Sequence, residues 1–208
     1  ILCPTRELSV QVAEELGRLG KFHKKLSVLP VYGGAPIDRQ IRALKQGVHV
    51  VVGTPGRVMD HMRRKTLKTD QIKYFVLDEA DEMFAMGFRD DMATVIEALP
   101  EDVQKAFFSA TMAKPIKDFA SKYLKEPEFI QMVHKELTVP RVEQGYFELK
   151  EFMKGEILTR ILDIYDPKLC IVFSNTKKKV DELTAELQSK GYDADALHGD
   201  LKQNQRDA

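Results

Sequence analysis

Three of the four residues Asp78-Glu79-Ala80-Asp81 are carboxylates, and they follow directly on the apolar run Tyr74-Phe75-Val76-Leu77. Crowding like charges at the end of a buried strand costs free energy unless a cation or a proton-transfer role offsets it. In a nucleotide-binding α/β fold the first carboxylate after such a strand, here Asp78, holds Mg²⁺. The second, Glu79, is placed to orient or deprotonate an attacking water. The same acids also suit an ordinary solvated helix start, because negative charge in a first turn complements the helix dipole.

A second set of residues suits phosphate oxygens. Thr5, Thr54 and the run Ser174-Asn175-Thr176 stand where strand-like segments turn into helix-like ones. Helix N-termini there present unpaired N–H groups and the positive end of the dipole. Arg6, Arg57 and Arg206 add charged donors nearby, and such contacts fix register without reading base sequence. Plain capping by threonine and surface arginines are the alternative for each alone. Gly33-Gly34 permits close backbone approach to a ligand, or simply makes a tight turn.

These residues need a frame that brings them to one edge, and the pattern supplies it. Ile1-Leu2-Cys3 reads as the end of a buried strand, 26–32, 49–52, 74–77, 105–109 and 129–132 as further strands. Between them, helices start at Thr5, with Leu8, Val12, Leu16 and Leu19 on one face, at Pro36, at Pro55, at Phe88 and at Ala113. Strand and helix alternate, so a parallel sheet covered by helices is the economical fold, and all its strand-to-helix junctions share one edge. Residues 133–142 lack periodicity and read as a linker. Beyond it strands at 144–149, 169–173 and 193–197 alternate with helices at 152–165 and 177–190, and a helix start after Asp200. The expectation is α/β, two parallel-sheet domains, 1–135 and 136–208, the first truncated at its start and the second at its end. With no initiator Met, the chain reads as an excised fragment.

Composition sets bounds. The 208 residues are 43% hydrophobic and 31% charged, and the 32 basic and 32 acidic side chains cancel, which argues against coating nucleic acid by bulk charge but not against a narrow basic groove. No apolar run is long enough to span a bilayer, and Arg6, Glu7 and Glu14 interrupt any signal-like segment. Cys3 and Cys170 sit in strand-like apolar surroundings and read as buried free thiols, in keeping with a reducing, cytoplasmic compartment. Phe22 and Tyr32 read as core. The basic clusters at Lys24-Lys25, Arg63-Arg64-Lys65 and Lys177-Lys178-Lys179 read as solvated helix faces. No Gly-x-Ser-x-Gly elbow accompanies Ser109 and His198, which removes a serine-nucleophile reading.

Seven segments in fixed order carry a family resemblance: Pro4-Thr5-Arg6-Glu7-Leu8, Gly33-Gly34, Thr54-Pro55-Gly56-Arg57, Asp78-Glu79-Ala80-Asp81, Ser109-Ala110-Thr111, Ile171-Val172-Phe173-Ser174-Asn175-Thr176, and His198-Gly199-Asp200 with Gln203 and Arg206. Together they resemble the DEAD-box RNA helicases of superfamily 2, and the second half is spelled more like the bacterial members. The resemblance implies two RecA-like domains that bind ATP and RNA between and across them. It also implies local RNA duplex unwinding coupled to ATP hydrolysis as the domains close. It assigns Asp78 to Mg²⁺ through the water shell and Glu79 to the attacking water, and links Asp81 to the Ser109 and Thr111 hydroxyls, so that hydrolysis follows the RNA-bound state. A helix cap before Ala113-Lys114-Pro115 is the alternative for those hydroxyls. The implied RNA contacts are Pro4, Thr5, Arg6, Gly33, Gly34, Thr54, Pro55, Gly56, Arg57, Ser174, Asn175, Thr176, Gln203 and Arg206, mainly to backbone phosphates and 2′-hydroxyls. His198 carries less weight for RNA, and Asp200 is also a good N-cap.

The sequence contains no Gly-x-x-x-x-Gly-Lys-Ser/Thr loop; Gly20-Lys21 runs into Phe22. In the family that loop lies upstream, with a glutamine motif that reads adenine, and further motifs including an arginine finger lie downstream. The expectation is an ATPase in the parent protein and no turnover by these 208 residues alone. A non-catalytic RNA clamp with a helicase fold and a related DNA translocase stand as the alternative readings.

Overall fold

The computed structural model describes residues 1–23, 25–132 and 142–201. The chain forms two compact units, Ile1–Gln131 and Met132–Ala208. Lys24, the segment 133–141 with the expected linker and the expected boundary after residue 135, and residues 202–208 with the expected last helix, Gln203 and Arg206, lie outside the described residues.

In the first unit Thr5 caps helix α1 (Arg6–Leu19), its hydroxyl accepting from Leu8 N at 3.2 Å. There follow β1 (Val28–Val31), α2 (Ile37–Gln46), β2 (Val50–Gly53), α3 (Pro55–Arg63), β3 (Tyr74–Leu77), α4 (Ala80–Ala85), α5 (Arg89–Glu97), β4 (Gln104–Phe107) and α6 (Lys114–Tyr123). β1 pairs with β2 and β3 with β4, both parallel. Ile1–Cys3 joins the two pairs: Leu2 bridges Gly53 on one side and Leu77 on the other. Leu2 N donates to Val76 O at 2.8 Å, Cys3 N to Gly53 O at 3.0 Å, and Asp78 N to Leu2 O at 2.9 Å. The order across the sheet is therefore β1, β2, Ile1–Cys3, β3, β4, all in one direction. Residues 129–132, expected as a strand, show none.

Alternation along the strands splits the core between the two faces. Leu2, Val31, Phe75 and Leu77 pack with Val58 of α3, Met83 of α4, Met92, Val95 and Ile96 of α5 and Phe119 of α6. On the other face Cys3 and Val52 meet Ala13, Leu8, Val12 and Leu16 of α1. Each such fully buried aliphatic side chain stabilises the unit by about 2 kcal/mol. The apolar face of α1 ends at Leu16. Leu19, expected on that face, and Phe22, expected in the core, are instead exposed, the helix having ended before Gly20.

The second unit shows a 3-10 turn at Glu151–Met153, α7 (Lys154–Tyr165) and α8 (Lys177–Ser189). Gly155 of α7 lies against the Glu186 carboxylate of α8, where a Cβ would come within 2.9 Å of Oε1. Tyr192 OH donates to Asp163 and lies 3.2 Å from Thr159 O, tying the chain after α8 to α7. The expected strands 144–149, 169–173 and 193–197 are extended but unpaired: among the described residues no backbone hydrogen bond joins them to one another. A strand is a ladder, and apolar patterning alone makes none without a neighbour in register. Leu169, Ile171 and Phe173 are accordingly exposed, and so is Cys170, against the expectation of a buried thiol. Cys3 is buried, and both cysteines are free.

Candidate functional site

Because the strands of the first unit are parallel, the loops that follow them gather on the carboxyl edge of the sheet. In sheet order these are Gly33-Gly34 after β1, Thr54–Arg57 after β2, Pro4–Arg6 after Cys3, Asp78–Glu79 after β3 and Ser109–Thr111 after β4. Nearly eighty residues of sequence separate the outermost of them, and the sheet brings them onto five adjacent strand ends.

The half of this edge at β3 and β4 carries the acids. Asp78 follows β3 and is half-buried, and its charge helps to push the Cys3 thiol up to about 11, after burial, which is the larger cause. Glu79 adopts a left-handed conformation at φ 54°, ψ 53° ahead of α4, and is exposed. That backbone costs a non-glycine residue about 1–2 kcal/mol. Ala80 N, donating to Phe108 O at 3.0 Å, ties the turn to β4. Among the described residues neither the Asp78 nor the Glu79 carboxylate has a hydrogen-bond or ion-pair partner. Asp81 differs: its Oδ2 accepts from Thr111 N at 2.9 Å and from Thr111 Oγ1 at 2.8 Å. Burial by itself would raise the Asp81 pKa, but the bonds from the Thr111 hydroxyl and amide outweigh it and hold the carboxyl below its ordinary range. Ser109 Oγ donates instead to Thr111 O at 2.6 Å, fixing the loop that aims Thr111. Neither hydroxyl caps α6, whose N-cap is Ala113.

The half at β1, β2 and Ile1–Cys3 carries the cations. Gly34 has φ +90°, and a Cβ there would fall 2.7 Å from Arg6 Nη1, so glycine is needed for both the turn and the approach of the guanidinium. Gly53 is needed for another reason. A Cβ on it would lie 2.5 Å from Val31 O and 2.8 Å from Val58 Cγ2, and would strike Val31 Cγ2. Pro55 is the first residue of α3 and Thr54 its N-cap, though the Thr54 hydroxyl makes no cap bond. Arg57 Nη1 donates to Ala35 O at 3.2 Å and to Gln40 Oε1 at 3.0 Å. Gln40 Nε2 donates to Tyr32 O at 3.1 Å, and His61 Nε2 lies 2.9 Å from Gln40 Oε1. His61 Nδ1 lies 2.8 Å from Thr66 Oγ1.

Sequence reasoning passes over Gln40, His61 and Thr66. The available signal is a polar residue on an apolar face: His61 continues the buried stripe Pro55, Val58 of α3, and Gln40 follows Ile37 by one turn in α2.

In the second unit Thr176 caps α8, its hydroxyl accepting from Lys179 N at 3.2 Å. Ser174 and Asn175 precede it in the same turn, without regular structure. Lys177 belongs to a cluster read as a solvated face, yet its Nζ lies 2.5 Å from Asp200 Oδ1 and holds that carboxyl below its ordinary range. His198 Nε2 lies 2.9 Å from Asp181 Oδ1.

Asp78 fits a magnesium ion of the kind that keeps most of its waters and takes one or two carboxylates plus phosphate oxygens. Among the described residues its carboxylate has no hydrogen-bond or ion-pair partner to compete.

Residues 1–119 match the family model described as DEAD/DEAH box helicase, and residues 153–208 that of the helicase conserved C-terminal domain. The chain is 50% identical over 206 residues to the DEAD-box ATP-dependent RNA helicase CshA of Bacillus cereus, covering 99% of this chain and 39% of that protein. The CshA of Geobacillus kaustophilus is also 50% identical, with 99% and 44% covered. Among solved structures, S. cerevisiae Dbp5 bound to RNA and ADP BeF3 aligns with a TM-score of 0.83 at 34% identity, over 99% of this chain and 52% of that one. A DEAD box protein from the hyperthermophile Methanococcus jannaschii aligns at 0.62 with 43% identity, over 99% and 55%. The chain thus spans well under half the length of these curated relatives.

Proposed function

Because this chain belongs to the DEAD/DEAH box helicase family, we propose that the protein carrying it is an ATP-dependent RNA helicase that couples ATP hydrolysis to local opening of RNA duplexes. The observation that carries this reading is the division of the sheet edge. Asp78 and Glu79, two carboxylates without hydrogen-bond or ion-pair partners among the described residues, stand beside a third, Asp81, that is tied to the next strand end through Thr111. A cluster of arginines and glycines occupies the other strand ends.

Asp78 would hold a magnesium ion, which would supply charge neutralisation for the transferred phosphoryl group. Glu79 accepts a hydrogen bond from the attacking water and orients it. Asp81 accepts from Thr111, so any shift of the Ser109–Thr111 loop is felt one residue away from the Glu79–Ala80 turn. Thr5, Arg6, Gly33, Gly34 and Thr54–Arg57 grip RNA backbone, as do Ser174–Thr176 in the second unit. Gln203 and Arg206 join them on the family pattern. A grip on backbone alone serves an enzyme that must act on any sequence. The 208 residues by themselves, lacking a phosphate-cradling Gly-Lys loop, bind RNA weakly and do not turn over ATP.

The test uses the full-length protein, with RNA-stimulated ATP hydrolysis and displacement of a short RNA duplex as readouts. Glu79→Gln lowers hydrolysis by about 10²-fold or more, the usual worth of a positioned base, while RNA binding persists. A wild type that binds RNA without hydrolysing ATP would make the protein a clamp. Equal stimulation by single-stranded DNA would make it a DNA-directed motor.

A further inference from the structure

We propose that His61 is a positioning residue for the RNA grip, acting through Gln40 to hold Arg57 and the Gly33-Gly34 loop in one arrangement; the inference rests on the helicase reading above. His61 and Gln40 are buried, 0% and 5% exposed, at the interface between α3 and the loop after β1. The amide of Gln40 has one possible orientation. Its nitrogen must face the Tyr32 carbonyl at 3.1 Å, which can only accept, and its oxygen must face Arg57 Nη1 at 3.0 Å, which can only donate. His61 Nε2, 2.9 Å from that same oxygen, must therefore carry a hydrogen.

The other ring nitrogen faces the Thr66 hydroxyl at 2.8 Å, an acceptor or donor as required. Burial, with the nearby Arg57 charge, depresses the His61 pKa, in keeping with a neutral ring whose Nε2 carries the hydrogen and whose Nδ1 accepts from Thr66. Gln40 is thereby loaded from three sides. The carbonyls on either side of the glycine pair, Tyr32 O and Ala35 O, receive Gln40 Nε2 and Arg57 Nη1. His61 hydrogen-bonds to neither the loop carbonyls nor any residue named for RNA; it reaches them through Gln40. Its function is to keep the Gln40 oxygen turned toward Arg57.

The full-length protein tests this with two His61 variants and one Arg57 variant. His61→Leu keeps the volume and removes the donor, and His61→Gln restores a donor near Nε2. His61→Leu raises the RNA concentration for half-maximal ATPase stimulation about tenfold, the effect of one buried hydrogen bond, with turnover at saturating RNA retained. His61→Gln returns the value to within about threefold of wild type. Arg57→Ala serves as the reference. If it weakens RNA and His61→Leu does not, the positioning role is overturned and the grip stands. If Arg57→Ala leaves RNA binding intact, the grip reading fails and takes this proposal with it. Should His61→Leu fail to fold, the wild-type imidazole decides: long-range ¹H–¹⁵N NMR shows a hydrogen on Nε2, and a ring without one overturns the proposal.

Discussion

The contact between Asp81 and Thr111 joins the acidic turn to the neighbouring strand end, and a double-mutant cycle measures it directly. Thr111→Val deletes the hydroxyl bond of 2.8 Å and keeps the amide bond of 2.9 Å, whereas Asp81→Ala deletes both. Bonds to a charged acceptor contribute about 1.5–3 kcal/mol when buried. This pair is open to solvent, so each is taken as about 1 kcal/mol after competition from water. Thr111→Val then costs about 1 kcal/mol and Asp81→Ala about 2, with about 0.5 more for the lost acid in the first turn of α4. The double variant costs no more than Asp81→Ala, so the coupling energy is about 1 kcal/mol, and the helix-dipole contribution cancels in the cycle. Urea unfolding followed by circular dichroism supplies the free energies, and hydrogen exchange at the Thr111 amide supplies a local readout. Asp81→Ala exposes that amide; Thr111→Val leaves it protected. Because the Asp81 pKa is depressed below 3.8, the bonded form is favoured above that value and lost as pH falls through the folded pKa, so protection is constant between pH 8 and 5. A coupling energy under about 0.3 kcal/mol, within the scatter of additive pairs, would refute the link.

Three further outcomes test other parts of the structure. Gly53→Ala places a methyl against Val31 O and Val58 Cγ2 and lowers stability by about 3 kcal/mol, at the upper end of overpacking costs, measured as a shift in urea midpoint. Glu79→Asn relieves part of the left-handed strain and raises stability by about 0.5–1 kcal/mol while abolishing ATP turnover; a variant that is both active and stabilised would remove Glu79 from the mechanism. Lowering the pH through 6.5 protonates His61 in the unfolded chain first, because its folded pKa is depressed, so stability falls with acid by up to about 1.4 kcal/mol per pH unit from this residue, a slope that His61→Leu abolishes.

The sheet edge was legible in the sequence to the extent that strand and helix alternate. Parallel strands send every following loop to the same side, so identifying 74–77 and 49–52 as strands already implies that Asp78 and Thr54 lie on one edge. The order of strands was not legible, because pairing depends on contacts far apart in the chain. That Leu2 lies between Gly53 and Leu77 follows from no local pattern. The choice between coupling and capping for Thr111 was equally hidden: both use a hydroxyl near a helix start, and only the spatial approach of Asp81 separates them. The continuous apolar run at 169–173 misled about Cys170 because such a run reports what a segment could bury, not whether a neighbour is present.

Gln40 and His61 show where sequence reading and structure ask different questions. A glutamine and a histidine near apolar residues are unremarked in a search for groups that touch substrate, since both are buried. Their burial poses the question instead, because a buried polar atom must find a partner, and here each finds one that leads to the same place. Tyr32 O and Ala35 O flank the glycine turn, Arg57 borders it, and Gln40 reaches two of the three directly. An arginine on a long side chain loses rotamer entropy when it binds phosphate. If Arg57 grips RNA as proposed, holding its Nη1 in advance moves that cost into folding, so that association with RNA no longer bears it. The buried network is thus better understood as preorganisation of the grip than as added stability, and variants of it should weaken RNA binding more than they lower resistance to urea.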